Sequence, residues 1–214
     1  MSEAVVFDMD GLMIDSQPYW QAAQLEILQP LGVPITLQDT IDTTGMRIDQ
    51  IVDKCYAETP WNSASCSEVC DRILQRVTEL VCEHKPVMPG LAHAIRVCQQ
   101  QGVKLGLASS SPMSLIDATL EMLQMKDVFL VKTSAEHLRY GKPHPEVYLN
   151  ACDALNVQPY HCVAIEDSFV GLLAAKAALM KTIVVPERSA ADDKQFVIAD
   201  HQLASLEELT PELF

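Results

Sequence analysis

Positive charge is scarce in this chain: 15 Lys and Arg face 29 Asp and Glu, a formal net charge of −14 over 214 residues. Such a field repels polyanions at long range, which argues against nucleic acid as a partner. A site for an anionic ligand must then build its own positive charge from a metal, a lysine or backbone N–H groups. Long apolar runs are also missing. Nothing approaches the ~20 apolar residues of a membrane span, and the N-terminus opens on Ser2 and Glu3, without the basic start of a secretory signal, so no membrane partner is expected. The seven cysteines, at 55, 66, 70, 82, 98, 152 and 162, form no paired C-x-x-C units and fall among apolar helical positions. They predict buried free thiols in a reducing compartment, the cytoplasm. Cys66 and Cys70 share a helical spacing, but no second Cys or His pair joins them, so they read as packing.

What is present is ordinary globular composition, 49% hydrophobic and 21% charged, enough for one core domain carrying a smaller inserted one. Ala4–Phe7 is a short, continuous apolar run ended by Asp8, the pattern of a strand buried on both faces. Similar runs at Val103–Ala108, Val128–Val131, Cys162–Ile165 and Thr182–Val185 predict four more strands. Helical patterns at Met113–Leu123, Glu146–Leu155 and Ser168–Leu179 alternate with them, the order of a doubly wound, parallel α/β sheet of Rossmann-like type.

The stretch after the first strand breaks this alternation. Residues 15–85, up to the Pro86-Val87-Met88-Pro89-Gly90 break, are mainly helical in pattern and far exceed a crossover helix, so they are expected to form an inserted helical cap domain over a core made of residues 1–14 and 86–214. Within it, Trp20–Leu31, Asp49–Ala57 and Cys66–Cys82 predict helices, with a turn at Pro60-Trp61-Asn62.

Four segments carry chemistry. Phe7-Asp8-Met9-Asp10-Gly11 sets two carboxylates at the carboxyl end of a buried strand, where ligands bind in open α/β sheets. One carboxylate can attack phosphorus while the other protonates a leaving oxygen and then activates water. Leu107-Ala108-Ser109-Ser110-Ser111-Pro112 places hydroxyls and helix N–H groups at a strand-to-helix junction, suited to an anion and also to a plain helix cap. Gly141-Lys142-Pro143-His144-Pro145-Glu146 offers one lysine between prolines that hold the loop in shape, a cation for the transferring group and the nucleophile. It is not a Walker loop, since Pro143 follows the lysine and Glu136 stands where the first glycine would be. Ala164-Ile165-Glu166-Asp167-Ser168 ends the fourth strand on an acid pair of the kind that holds a hard cation; one carboxylate from Asp8, a carbonyl near Asp10 and Asp167 would suffice for Mg²⁺.

With these four motifs in this order and spacing, the chain resembles the haloacid dehalogenase-like superfamily over essentially its whole length, and its early insertion is similar to the cap of the β-phosphoglucomutase and sugar-phosphate phosphatase branch. The resemblance implies a Mg²⁺-dependent phosphoric monoester hydrolase with Asp8 as nucleophile and Asp10 as acid/base. By it, Ser109, Ser110 and Lys142 bind the phosphoryl group, and Asp8, Asp10, Asp167 and Glu166 form the metal site. The implied substrates are small sugar or polyol phosphates such as 2-deoxyglucose 6-phosphate or hexitol phosphates, turned over by a cytoplasmic monomer.

Two cap residues bear on substrate choice. Where the mutases of this branch carry a histidine, this chain has Trp20, which favours hydrolysis over the alternative of a β-phosphoglucomutase-like phosphomutase; Trp20 either walls the pocket or belongs to the cap core. Gly45-Met46-Arg47 resembles a cap loop in which the family places an arginine on the distal part of the substrate, so Arg47 either makes the contact that the resemblance implies or pairs with an acid such as Asp49. A receiver-type signalling module has no use for a second helical domain. A dehalogenase needs neither Asp10 nor the Glu166-Asp167 pair, and a catalytically dead binding protein would not fill every chemical position.

Overall fold

The computed structural model describes residues 2–187 and 190–214. Its sheet begins with β1 (Ala4–Phe7), whose four residues are all fully buried. Val5 and Phe7 pack into one core and Ala4 and Val6 into another on the opposite face, the two-residue alternation of a strand covered on both sides. The other strands are β2 (Lys104–Ser109), β3 (Val131–Ser134), β4 (Cys162–Glu166), β5 (Lys181–Val184) and β6 (His201–Gln202). All pairings are parallel, in the order β3-β2-β1-β4-β5-β6. The chain fills one side of β1 first and then crosses to the other, so the carboxyl ends of β1 and β4 border the switch point where the winding reverses.

Four helices follow β1: α1 (Gln17–Leu28), α2 (Leu37–Asp42), α3 (Ile48–Glu58) and α4 (Cys66–His84). α4 starts at a reciprocal cap, in which Ser65 accepts from the Glu68 N–H and the Glu68 carboxylate accepts from the Ser65 N–H. Its fully buried Val69, Ile73, Val77 and Val81 recur every four residues and join the same apolar cluster as Val5 and Phe7, so the inserted helices share a continuous core with one face of the sheet. The alternating helices of the sheet are α5 (Leu91–Gln101), α6 (Met113–Met122), α7 (Glu146–Leu155) and α8 (Phe169–Ala177).

The structure corrects the sequence reading in several places. β3 starts at Val131, not Val128: Val128 and Phe129 belong to the turn before it, and Phe129 is buried edge-on against Phe7 at 5.9 Å, so the apolar run marks packing of a loop. A sixth strand, β6, and the helices α2 and α5 were not anticipated. The first helix ends at Leu28, and Gln29–Leu31 continue it as a 3₁₀ turn before Gly32. All seven cysteines are free, yet only Cys98, Cys152 and Cys162 are buried, while Cys82 is exposed. Among the described residues, no helix is long and apolar enough to cross a membrane.

Candidate active site

The Asp8 N–H donates to the Ile165 carbonyl at 3.0 Å, extending the ladder between β1 and β4 by one residue and fixing the Asp8 side chain at the switch point. Asp8, Glu166 and Asp167 each bring a carboxylate oxygen within 4.8 Å of the others. Lys142 reaches them from the loop before α7: its Nζ donates to Asp8 Oδ1 and to Glu166 Oε1, both at 2.6 Å, and the lysine is 4% exposed. Its ammonium also lies 5.0 Å from the centre of the Tyr148 ring. The chain's acidic balance thus extends into the site, where the Lys142 ammonium is outnumbered by the carboxylates around it.

The three carboxylates differ in what their oxygens have left to offer. Glu166 Oε1 accepts from Lys142 and from the Tyr148 hydroxyl at 2.6 Å, and Oε2 accepts from the Asp167 N–H, the Ser168 N–H and the Ser168 hydroxyl at 3.0–3.2 Å. A carboxylate has about four lone-pair positions, so Glu166 is saturated and holds Lys142 and the loop rather than offering a free oxygen. Asp167 Oδ1, in contrast, is buried with no hydrogen-bond partner, and Asp8 Oδ2 carries no hydrogen bond among the described residues. Burial raises the Asp8 carboxyl to about 8, with Lys142 pulling against it and the Glu166 and Asp10 charges adding to the rise. Burial and the same carboxylates push Asp167 well above the ordinary range. Burial works to lower Lys142, but Asp8 and Glu166 outweigh it and hold the ammonium above the usual lysine range. A cluster of this kind lacks positive charge, and an orphaned oxygen together with a second carboxylate oxygen free of hydrogen bonds is what an oxygen-seeking divalent cation takes up. The residues present fit Mg²⁺.

Two glycines make room for the cluster. Gly11 has φ +84°, and a Cβ there would lie 1.9 Å from Asp167 Oδ2. A Cβ on Gly171, in the first turn of α8, would lie 1.8 Å from Glu166 Oε1. Any side chain at either place displaces an acid of the site.

Asp10 points the other way. Its Oδ1 accepts from the Ser16 hydroxyl at 2.7 Å and the Trp20 indole N–H at 3.0 Å, and its Oδ2 from the Ser111 hydroxyl at 2.6 Å and the Ser109 hydroxyl at 3.2 Å. Ser16 is the residue before α1, where a serine ordinarily caps the helix; here it makes no cap bond because its hydroxyl serves Asp10. The Asp10 carboxylate thus stands outside the acidic cluster and faces a cavity beneath the inserted helices, which leaves the expected contribution of Asp10 to a metal site to its backbone carbonyl.

Of the expected phosphate-binding hydroxyls, Ser109 is fully buried beside Asp10, while Ser110 donates to the Gly45 carbonyl at 2.9 Å and ties the inserted segment to the sheet. Arg47 makes a second tie. Its guanidinium pairs with Asp49, through Nε at 2.8 Å and through Nη2, and its Nη1 donates to the carbonyls of Ala135, at 2.9 Å, and Leu138. These contacts satisfy the ion-pair reading of Arg47, which does not line the cavity. Trp20 does line the cavity while its N–H holds Asp10. Sequence reasoning assigned no role to Ser16, Ser111, Tyr148 or Gly171. Only Ser111, inside the serine cluster, carried a local signal; the partners of Tyr148 and Gly171 lie on other elements.

Known proteins resemble this chain over most of its length. Hexitol phosphatase B of Escherichia coli (strain K12) is 48% identical over 208 residues, 97% of this chain and 94% of that one. The β-phosphoglucomutase of Bacillus subtilis (strain 168) is 29% identical over 189 residues, 86% of this chain and 83% of its own length. Among solved structures, CbbY from Rhodobacter sphaeroides in complex with phosphate superposes with a TM-score of 0.88 at 25% identity, covering 98% of this chain and 96% of the other. Residues 3–178 match the family described as haloacid dehalogenase-like hydrolase. The match spans β1 through α8 and every residue of the acidic cluster, and the chain belongs to the haloacid dehalogenase-like hydrolase family.

Proposed function

We propose that the protein is a Mg²⁺-dependent phosphatase that hydrolyses small sugar or polyol phosphate monoesters through an aspartyl-phosphate on Asp8. The observation that carries this reading is the pairing of Asp8, held by Lys142, with Asp167, whose buried Oδ1 has no partner. Residues 15–85 act as the cap, and the 48% identity to a hexitol phosphatase supports the substrate class.

In the first step an Asp8 oxygen attacks phosphorus as the bond to the ester oxygen breaks, and Asp10 delivers a proton to the departing alkoxide. In the second, water attacks the same phosphorus, Asp10 takes its proton, and phosphate leaves with Asp8 regenerated. Lys142 keeps one Asp8 oxygen oriented and balances charge on the transferring group, and Glu166, with its five donors, keeps Lys142 from turning away. Ser109, whose hydroxyl donates to Asp10 at 3.2 Å, turns that O–H to a phosphoryl oxygen when the ester binds. Mg²⁺ held by Asp8 and Asp167, when bound, supplies the positive charge this cluster lacks. Trp20 and the serines keep Asp10 on the cavity side, where a leaving alkoxide would emerge.

The mutase reading is weaker on a specific observation. A phosphomutase must hold a bisphosphate, yet Asp10 is the sole charged residue lining the cavity among the described residues, and Arg47 is already paired. The seven free thiols suit the cytoplasm, and we read the active form as a monomer.

The test is phosphate release from 2-deoxyglucose 6-phosphate, sorbitol 6-phosphate, phosphoglycolate and β-glucose 1-phosphate, with Mg²⁺ and with EDTA. Release from the hexose and hexitol esters is expected with Mg²⁺, and none with EDTA or in Asp8→Asn. Glucose 6-phosphate formed from β-glucose 1-phosphate without release would make the protein a mutase, and full activity in Asp8→Asn would remove the nucleophile assignment.

A further inference from the structure

One turn along α1 from Trp20, Gln24 breaks the apolar logic of a buried helix face. It is 4% exposed, next in sequence to the fully buried core residue Ala23, and its Oε1 is buried with no hydrogen-bond partner. Packing alone would favour a leucine, since a buried amide left unpaired loses its hydration with no return. Such an acceptor points to a donor that arrives with a ligand. Gln24 also lines the cavity that opens from Asp10, together with Trp20, Thr40 and Ile51.

The other polar walls narrow the ligand. The Thr40 hydroxyl donates to the Leu37 carbonyl at 2.7 Å and the Thr43 hydroxyl to the Asp39 carbonyl at 3.0 Å, so each retains lone pairs as acceptors. With Asp10 the sole charged lining residue among those described, the far end of the cavity suits an uncharged group that donates hydrogen bonds. Trp20 and Gln24, four residues apart, share a helix face about 6 Å apart along its axis. Trp20 holds the acid that serves the ester oxygen, so Gln24 meets the substrate several carbons from that oxygen.

We propose that Gln24 is a specificity-determining residue whose amide oxygen accepts a hydrogen bond from a distal hydroxyl of the substrate, selecting hydroxylated chains over unhydroxylated or carboxylated ones. The proposal rests on the phosphatase reading and goes beyond it by naming the group that recognises the polyol. A site built to receive a hydroxyl discriminates strongly against an analogue lacking it, because the protein group is then left unpaired.

The test compares kcat/KM for sorbitol 6-phosphate and n-hexyl phosphate, esters of equal chain length, in the wild type, Gln24→Leu and Gln24→Met, with melting temperatures for each. The wild type is expected to prefer sorbitol 6-phosphate, and both variants to lose that preference about tenfold or more, while melting no lower than the wild type because an unpaired buried amide has been removed. Loss of both substrates in equal proportion, or an unmoved ratio, overturns the proposal and leaves the phosphatase standing. A fall in melting temperature in both variants overturns it too, since the amide would then be structurally paired. Silence of the wild type toward every ester removes the phosphatase reading and this proposal with it.

Discussion

At the scale of single residues, the site is organised by which oxygens are already taken. Glu166 has five donors and Asp167 Oδ1 has none, although the two are adjacent in sequence, Glu166 as the last residue of β4 and Asp167 as the first beyond it. Their different work follows from local geometry: the strand's alternation sends Glu166 toward Lys142 and Tyr148, and the turn into α8 brings Asp167 over Gly11. Gly171 offers a decisive test. Alanine there improves helix propensity by roughly 1 kcal/mol, so an account based on helix stability predicts a neutral or stabilising change. The close approach of Glu166 predicts the opposite for activity: Gly171→Ala displaces the carboxylate that positions Lys142, and kcat falls on the order of 10²-fold with the fold retained by circular dichroism. Wild-type turnover in this variant would mean that Glu166 does not depend on the space Gly171 leaves.

At the scale of elements, the contact between the inserted helices and the sheet passes through few polar ties. Arg47, just ahead of α3, bonds the carbonyls of Ala135 and Leu138 past β3, and Ser110, past β2, bonds the Gly45 carbonyl. If Arg47 works as a clasp, Arg47→Ala lowers kcat/KM by about tenfold uniformly across esters, p-nitrophenyl phosphate included, and Asp49→Ala produces a smaller loss of the same kind by freeing the guanidinium. A loss confined to sugar and polyol esters would instead give Arg47 a substrate contact in another conformation. This division was only half legible from sequence. The Gly45-Met46-Arg47 segment and the Asp49 alternative were visible, since both lie within a few residues, but Ala135 and Leu138 are distant in the chain and contribute backbone oxygens, which no side-chain pattern reports. The same limit explains the elements. β1, β2, β4 and β5 announce themselves because burial on both faces demands continuous apolar runs, whereas β6 is His201-Gln202, a polar edge strand with one partner. β3 is Val-Lys-Thr-Ser, and the apolar residues that suggested it serve the loop packed on Phe7. The four chemical motifs were legible because strand ends concentrate them. The direction in which Asp10 turns was not, since it depends on Ser16 and Trp20 closing over it from α1 and the residue before it.

At the scale of the molecule, a net charge of −14 surrounds a site that concentrates yet more negative charge at the sheet's switch point. The cation that resolves this should therefore also stabilise the fold, and the sign of its pH dependence follows from the raised carboxyls. Asp8 titrates near 8 in the folded chain against an ordinary value of 3.8, and Asp167 is raised as well. Across the window from about 4 to about 8 the folded state binds more protons than the unfolded one, so the stability these groups contribute is fully present below the window and is lost as pH rises through it. Metal-free protein in EDTA is expected to melt lower at pH 8 than at pH 5.5 by several degrees, given that ~1 kcal/mol moves the melting point of a chain this size by about 2–4 °C. Mg²⁺ competes with protons for the same oxygens, so its stabilising shift should be small at pH 5.5 and grow toward pH 8. Asp8→Asn removes one raised carboxyl and should flatten the slope in EDTA while weakening the Mg²⁺ shift. Scanning calorimetry of both proteins at four pH values, with and without Mg²⁺, decides the matter: a Mg²⁺ shift that is equal at every pH, or unaltered by Asp8→Asn, would place the cation somewhere other than this cluster.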